Sequence, residues 1–347
     1  MKVRERGISI GTKPTGKNNC ITDVKGVKVG HVTLDYPIGD KGDYACTGVT
    51  AILPHGGNLF REKVTGASYV LNGFAKTTGL VQINELGLIE SPIMLTNTFG
   101  VPAVTEGTLQ YMLDQNPEIG TTTGTVNVVV GECNDSFLNS IRQMPVKPEH
   151  AREAIEKATD EQAAEGAVGA GKGMICFGYK GGIGTSSRIV KDGDIQYTLG
   201  CLVLTNFGKK EEFQHCRYSC FRIENLERAV EASDGSIIIV LATDAPLSDR
   251  QLKRLAKRCG IGLGRTGSHF SHGSGDVIIA FSTANPSSHT SKSHTEAKIQ
   301  LREEHPIMNK LFSGATEVTE EAILNSLTQA ETTKGRNRHI VKAYPYR

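Results

Sequence analysis

The chain predicts a layered α/β fold, and three features carry that reading. Short apolar runs punctuated by Gly, Asn and Asp dominate, and most are continuous rather than alternating, as in strands buried on both faces. Stretches of helical periodicity lie between them, and loosely alternating strands and helices build layers. Many of the 39 glycines stand beside apolar runs, where a backbone turns tightly or is closely approached.

In chain order, the apolar runs place strands at 27–34, 48–53, 93–96, 126–131, 174–179, 200–205, 236–242 and 277–282. Helices are expected over 104–114, 149–165, 249–259 and 317–331. The third has Ser248 as N-cap, Gly260 as stop, and Leu252, Leu255, Ala256 and Cys259 on one face. The stretch 286–297 (PSSHTSKSHTEA) and the basic tail 334–347 read as a loop and a mobile terminus. No repeat and no clean linker interrupts the 347 residues, so a single domain, 1–347, is expected.

The net charge of +2, from 39 basic and 37 acidic residues, argues against a nucleic-acid partner. The opening segment MKVRERGISIGTKPTGKNN lacks the apolar stretch of a secretory signal, and no window approaches the roughly 18 apolar residues of a membrane helix. With eight scattered cysteines, several inside apolar runs, the expectation is a cytoplasmic protein with reduced thiols and no membrane partner.

Several motifs lose their force in context. Gly262, Gly264 and Gly267 match a dinucleotide-binding spacing, but a helix precedes them and a Ser/His/Gly loop follows. The run from Gly166 to Lys172 resembles a phosphate loop, yet Gly173 stands where a metal-binding hydroxyl belongs. His215, Cys216 and Cys220, like His269 and His272, lack the paired spacing of a zinc site. Solvated or core histidines are the plainer reading.

The segment ASDGSIIIVLATD is different: Ser236 heads a buried apolar strand directly after Asp234-Gly235. A tight turn feeding a strand would explain it. So would chemistry: the Ser236 hydroxyl could attack the Gly235 carbonyl, move the acyl group to oxygen, and let water cut the ester. Glycine tolerates the strained geometry that this attack requires. The cut leaves hydroxyl and free amine on one residue, and a serine needs such a base or polar network to become nucleophilic. Downstream, Ser274 and Asp276 stand two apart at the entry to another strand and can share a face as a proton relay, or simply cap the strand. Upstream, Asn206 ends a strand, where its amide could donate to an oxyanion or form a turn.

Together these segments resemble the DmpA-type family of L-aminopeptidase/D-amidase/D-esterases, which includes β-peptidyl aminopeptidases. The resemblance runs from ITDVKGVKVGH to LFSGATEVTEEAILNSL, and its most specific pieces are ICFGYKGGIGTSSR, DGSIIIVLATDAPLSDRQLKRLAKR and GRTGSHFSHGSGDVIIAFSTAN. It implies a four-layer α-β-β-α sandwich like that of N-terminal-nucleophile hydrolases. It also implies a precursor cut between Gly235 and Ser236 into an α subunit, 1–235, and a β subunit, 236–347. Ser236 falls on the nucleophile, Ser274 and Asp276 on its polarising partners, and Asn206 on the oxyanion-stabilising asparagine. Members can carry Glu where this chain has Asp276, one methylene shorter. Glu132 falls on the carboxylate that holds the substrate's free amine, a fit of opposite charges. Asn134 stands where members place a tyrosine that assists the oxyanion, so its amide is the candidate substitute.

The resemblance thus implies a serine aminopeptidase or amidase acting on short peptides, amino amides or esters with a free amine, through an acyl-enzyme on Ser236. No metal or organic cofactor is called for, and a homotetramer of αβ units is expected. Two other readings stand beside it. An acyltransferase of the ornithine acetyltransferase type shares the fold but generally exposes threonine. A non-catalytic scaffold would keep the fold and remain one band on a denaturing gel.

Overall fold

The structure, a computed structural model, describes residues 1–218 and 235–345. In chain order its principal elements are β1 (Lys28–Ile38), β2 (Asp43–Leu53), β3 (Glu62–Gly73), α1 (Leu80–Leu86), β4 (Leu88–Ile89), β5 (Ile93–Asn97), α2 (Val101–Gln115), β6 (Val129–Cys133) and α3 (Pro148–Glu156). They continue with β7 (Ile175–Cys176), β8 (Tyr179–Lys180), β9 (Gly182–Asp192), β10 (Ile195–Asn206), β11 (Ser236–Thr243), α4 (Asp249–Thr266), β12 (Gly275–Ser288) and α5 (Ile307–Thr328). Strands β1-β2-β5-β6 form one sheet and β4-β3-β12-β11-β10-β9 the other. The sheets pack face to face, with α2 and α3 outside the first and α4 and α5 outside the second. This is the expected four-layer sandwich.

Strand β11 shows why the apolar runs are continuous. Ile238, Val240 and Ala242 point between the sheets, toward Leu95 and Val129 of the other sheet. Ile237, Ile239 and Leu241 point the other way, into the helices around Leu255 and Val318. With both faces covered, no position calls for a polar residue. The strand pairs in parallel with β12 and antiparallel with β10, and β12 pairs antiparallel with β3. The two strands that follow residue 235 are therefore held between strands that precede it.

Several expected boundaries shift, each for a local reason. Helix α4 runs through Gly260 to Thr266, so the dinucleotide-like glycines lie in the helix and at its end. Gly262 is there for packing, because a Cβ would stand 2.5 Å from the Thr316 carbonyl of α5. Helix α3 ends at Glu156 rather than 165, because Thr159 leaves it to pair with Val29. Helix α5 begins ten residues before the expected start, at Ile307. The run 174–179 is a hairpin turning at Phe177 and Gly178, both with positive φ. Strand β12 extends to Ser288, past a register shift, into the expected loop. Nor is the basic tail a loose terminus. Thr333 pairs with Val341, and the buried Tyr344 ring packs 4.7 Å from that of Tyr179. Cys220 of the zinc reading lies outside the described residues.

Two long strands, β3 and β9, were not anticipated. In β9 the side chains of Thr185, Ser186, Ser187 and Arg188 are all buried. Arg188 is neutralised there by Glu317 and Glu321 of α5, at 3.0 and 2.5 Å, and Arg4 shares Glu321 at 2.9 Å. A buried charge persists only with such partners.

Ile238 touches both sheets and is fully buried. Ile238→Ala is expected to cost about 2–5 kcal/mol, read as a fall in the thermal midpoint. A change within measurement error would show that the sheets do not pack on this residue.

Candidate active site

Three strand ends converge at one edge of the six-stranded sheet. Ser236 opens β11, with Asn206, the last residue of β10, on one side and Gly275, the first of β12, on the other. Ser236 is buried, at 7% exposure, and its Oγ accepts a hydrogen bond of 3.1 Å from the Gly275 amide. Immediately before it, Gly235 lies against the backbone at the end of β10: a Cβ there would stand 2.2 Å from the Asn206 carbonyl oxygen and 2.4 Å from the Phe207 Cα. Only glycine fits at this position without moving the end of β10.

Ser274 and Asp276 flank Gly275, the strand partner of Ser236. The spacing of two brings them together as anticipated, with Ser274 Oγ donating to Asp276 Oδ1 at 2.7 Å. Asp276 is fully buried, and its Oδ2 has no hydrogen-bond partner among the described residues. Burial raises its pKa to about 6, against the opposing effect of the Ser274 hydrogen bond.

Asn206 is held at both ends of its amide. Its Oδ1 accepts from the Ile175 backbone amide and its Nδ2 donates to the Asn134 carbonyl, both at 2.9 Å. This leaves a second N–H on Nδ2. Asn134 reaches the cluster through its backbone: its side chain is exposed, and its Oδ1 accepts from the Ser136 amide at 2.9 Å in a local turn. The Asn134 amide oxygen is thus taken up by a local turn, while its carbonyl meets Asn206.

Glu132 comes from the other sheet, on β6, and is buried at 2% exposure. Its Oε1 accepts from the Lys76 amide at 2.8 Å, and its Oε2 accepts from the Thr98 hydroxyl. Cys133, next along β6, spans the gap between sheets, its Sγ donating to the Leu204 carbonyl of β10 at 3.6 Å. Burial, with Glu132 and Asp276 nearby, raises its pKa well above the thiol range, so it stays protonated and is no rival nucleophile. The close approach of the sheets is possible because Gly131 faces Ile238, where a Cβ would already stand 3.1 Å from Ile238 Cγ2.

The sequence reading missed the residues that orient these groups. Lys76 and Ile175 act through backbone amides, which leave no trace in residue identity. Thr98 follows the strand run at 93–96, but nothing local links it to Glu132. Lys180, on β8, is fully buried with its Nζ donating to the carbonyls of Gly171, Met174 and Gly181, each at 2.8 Å. A separate cavity of about 330 Å³, lined by Thr65, Ser248, Asp249 and Ser287 among others, lies toward the far end of β12 and shares none of the site residues.

With this geometry in view, comparison with known proteins is specific. Residues 19–341 match peptidase family S58. The chain is 39% identical to the β-peptidyl aminopeptidase BapA of Sphingosinicella microcystinivorans, covering 99% of this chain and 90% of that one. A solved protein from Pyrococcus horikoshii OT3 superposes with a TM-score of 0.91 at 48% identity, covering 99% and 96% of the two chains. The L-aminopeptidase D-Ala-esterase/amidase of Ochrobactrum anthropi, described as a prototype serine aminopeptidase and a variant of the Ntn hydrolase fold, gives 0.90 at 33% identity, covering 99% and 95%. This chain belongs to peptidase family S58 and is a hydrolase of the serine aminopeptidase type.

Proposed function

We propose that Ser236 is the nucleophile of both a self-cut and a peptide hydrolysis. The observation that carries this is its place at the head of a buried strand, between the Asn206 amide and the Ser274–Asp276 pair. In the uncut chain the Ser236 oxygen attacks the Gly235 carbonyl carbon, and the C–N bond breaks as nitrogen takes a proton. Water then hydrolyses the ester. The pieces, 1–235 and 236–347, stay interleaved in one sheet, because β11 and β12 lie between β3 and β10.

The new amine of Ser236 serves as general base for the second reaction, tuned by Ser274 and Asp276. The ammonium of a short peptide, amino amide or ester docks on Glu132. Ser236 attacks the adjacent carbonyl, Asn206 Nδ2 and backbone amides hold the oxyanion, the amine or alcohol leaves, and water frees the acid. Relatives named for β-peptides and for L-amino acid and D-Ala substrates support a small substrate with a free amine. No nucleic-acid or membrane partner is part of this proposal, and no helix among the described residues is long and apolar enough to cross a membrane. A cytoplasmic homotetramer of cut units completes the reading.

Three outcomes test it. Intact mass of the wild type should show pieces of about 25 and about 12 kDa, the smaller beginning at Ser236, while Ser236→Ala stays at 37.4 kDa and is inactive. A folded wild type that never cuts sinks the self-activating mechanism. Glu132→Gln should still cut itself, since that step involves no substrate amine, yet lose about 10–100-fold in kcat/KM. Equal loss of both steps would remove Glu132 from substrate binding. Asp276 titrates near 6 when folded but near 3.8 when unfolded, so the cost of its buried charge is present above about 6 and relieved below. Asp276→Asn should therefore stabilise the fold at pH 8, by roughly 1–2 kcal/mol, and not at pH 4, while kcat falls at least about 100-fold. A stability gain equal at both pH values would contradict the buried-charge argument.

A further inference from the structure

We infer that Asn72 is the positioning residue that holds Ser274 in place, and that it does so across the boundary between the two pieces. This rests on the proposed roles of Ser236 and Ser274.

The turn carrying Ser274 is closed by one internal hydrogen bond, from the Ser274 amide to the Ser271 carbonyl at 2.9 Å. Four residues with a glycine at the third, and one closing bond, do not fix a serine rotamer by themselves. Asn72 supplies the rest. Its Nδ2 lies 2.8 Å from the Ser271 carbonyl oxygen, 3.2 Å from that of His272 and 2.6 Å from that of Ser274. The Phe74 amide adds a bond of 3.3 Å to the same Ser274 carbonyl. The two N–H groups of one amide thus serve the Ser271 and Ser274 carbonyls, with the longer His272 contact sharing a hydrogen, and fix the backbone from which the Ser274 hydroxyl reaches Asp276.

The local strand geometry serves this contact. Along β3 and β12, Gly275 pairs with Gly73 and Asp276 with Asn72, but the next pair is Val277 with Val70. Leu71 is the extra residue of a bulge, and bulges beside active sites re-aim a side chain. Leu71 packs on α4, where a Cβ on Gly260 would stand 3.0 Å from its Cδ2. The bulge is anchored on the helix side by Leu71, leaving Asn72 to meet the turn.

Asn72 precedes residue 235 and the turn follows it. After a cut before Ser236 no covalent bond joins the clamp to the serine it positions, so the larger piece completes the relay of the smaller one. The Glu132 cradle, built from Lys76 and Thr98, is separate from this clamp.

The test compares wild type, Asn72→Ala and the isosteric Asn72→Asp, using an amino-acid anilide, intact mass and thermal midpoints. Loss of the clamp should lower kcat about 10–100-fold, leave KM within about threefold, slow the self-cut and move the midpoint little. Asn72→Asp has no donor when ionised and one when protonated. Its kcat relative to wild type should therefore recover as pH falls through the carboxyl range, which a purely structural role would not produce. Wild-type cutting and turnover in both variants overturns the inference. So does a joint loss of kcat, KM and stability in both, without the pH recovery. A wild type that neither cuts nor hydrolyses refutes the underlying assignment of Ser236, and this inference with it.

Discussion

The parallel pairing of β11 with β12 is the constraint on which the rest depends. It sets Ser236 opposite Gly275, and so fixes how Ser236 stands relative to Ser274 and Asp276 on either side of that glycine. A parallel pair cannot be closed by a short turn and needs a long crossover. Here the crossover is α4, which covers the outer face of the sheet it connects. Because both strands are interior to the sheet, each also bonds to a strand from earlier in the chain, and those neighbours bring Asn206 and Asn72 to the same edge. One register therefore aligns groups contributed by four strands.

The second sheet adds a carboxylate, Glu132, next to the Cys133 that reaches across to β10. Among the described residues no cationic side chain meets either oxygen of this buried group, which accepts instead from a backbone amide and a hydroxyl. Neutral donors of this kind steady a carboxylate without bringing a compensating positive charge. Asp276 differs in kind. Among the described residues one oxygen has only a hydroxyl partner and the other has none, so its burial cost is left uncompensated and its pKa rises.

What the sequence made legible follows from the same physics. The strand at 236–242 was plain because both of its faces meet apolar layers, and the Ser274–Asp276 contact followed from a spacing of two. Strand β9 was hidden because its buried positions are Ser, Thr and Arg, and Ser186 and Arg188 find their partners more than a hundred residues away on α5. The stop at Gly260 was misread because glycine serves helix ends and close packing alike, and only the position of β3, whose Leu71 packs there, distinguishes them. Asn134 could be placed beside the site by its neighbours, but whether side chain or carbonyl faces inward depends on a turn closed two residues later. Linear patterns report burial and local geometry well. They do not report which distant group satisfies a polar one.

Lys180 shows how far such support reaches. Burial lowers its pKa to about 7, yet each of its three N–H bonds has a carbonyl to meet, which favours the ammonium form. Two of those carbonyls, on Gly171 and Met174, belong to the segment entering the hairpin of β7 and β8. The next amide along, that of Ile175, holds Asn206 Oδ1. That bond sets which way the Asn206 amide faces, so its orientation depends on the backbone that Lys180 holds. The C-terminal segment closes on the same hairpin, with the Lys180 amide bonded to the Lys342 carbonyl at 2.8 Å. Residues on both sides of position 235 thus brace one side-chain amide. The bracing is non-covalent throughout, so the cut proposed before Ser236 would leave it in place.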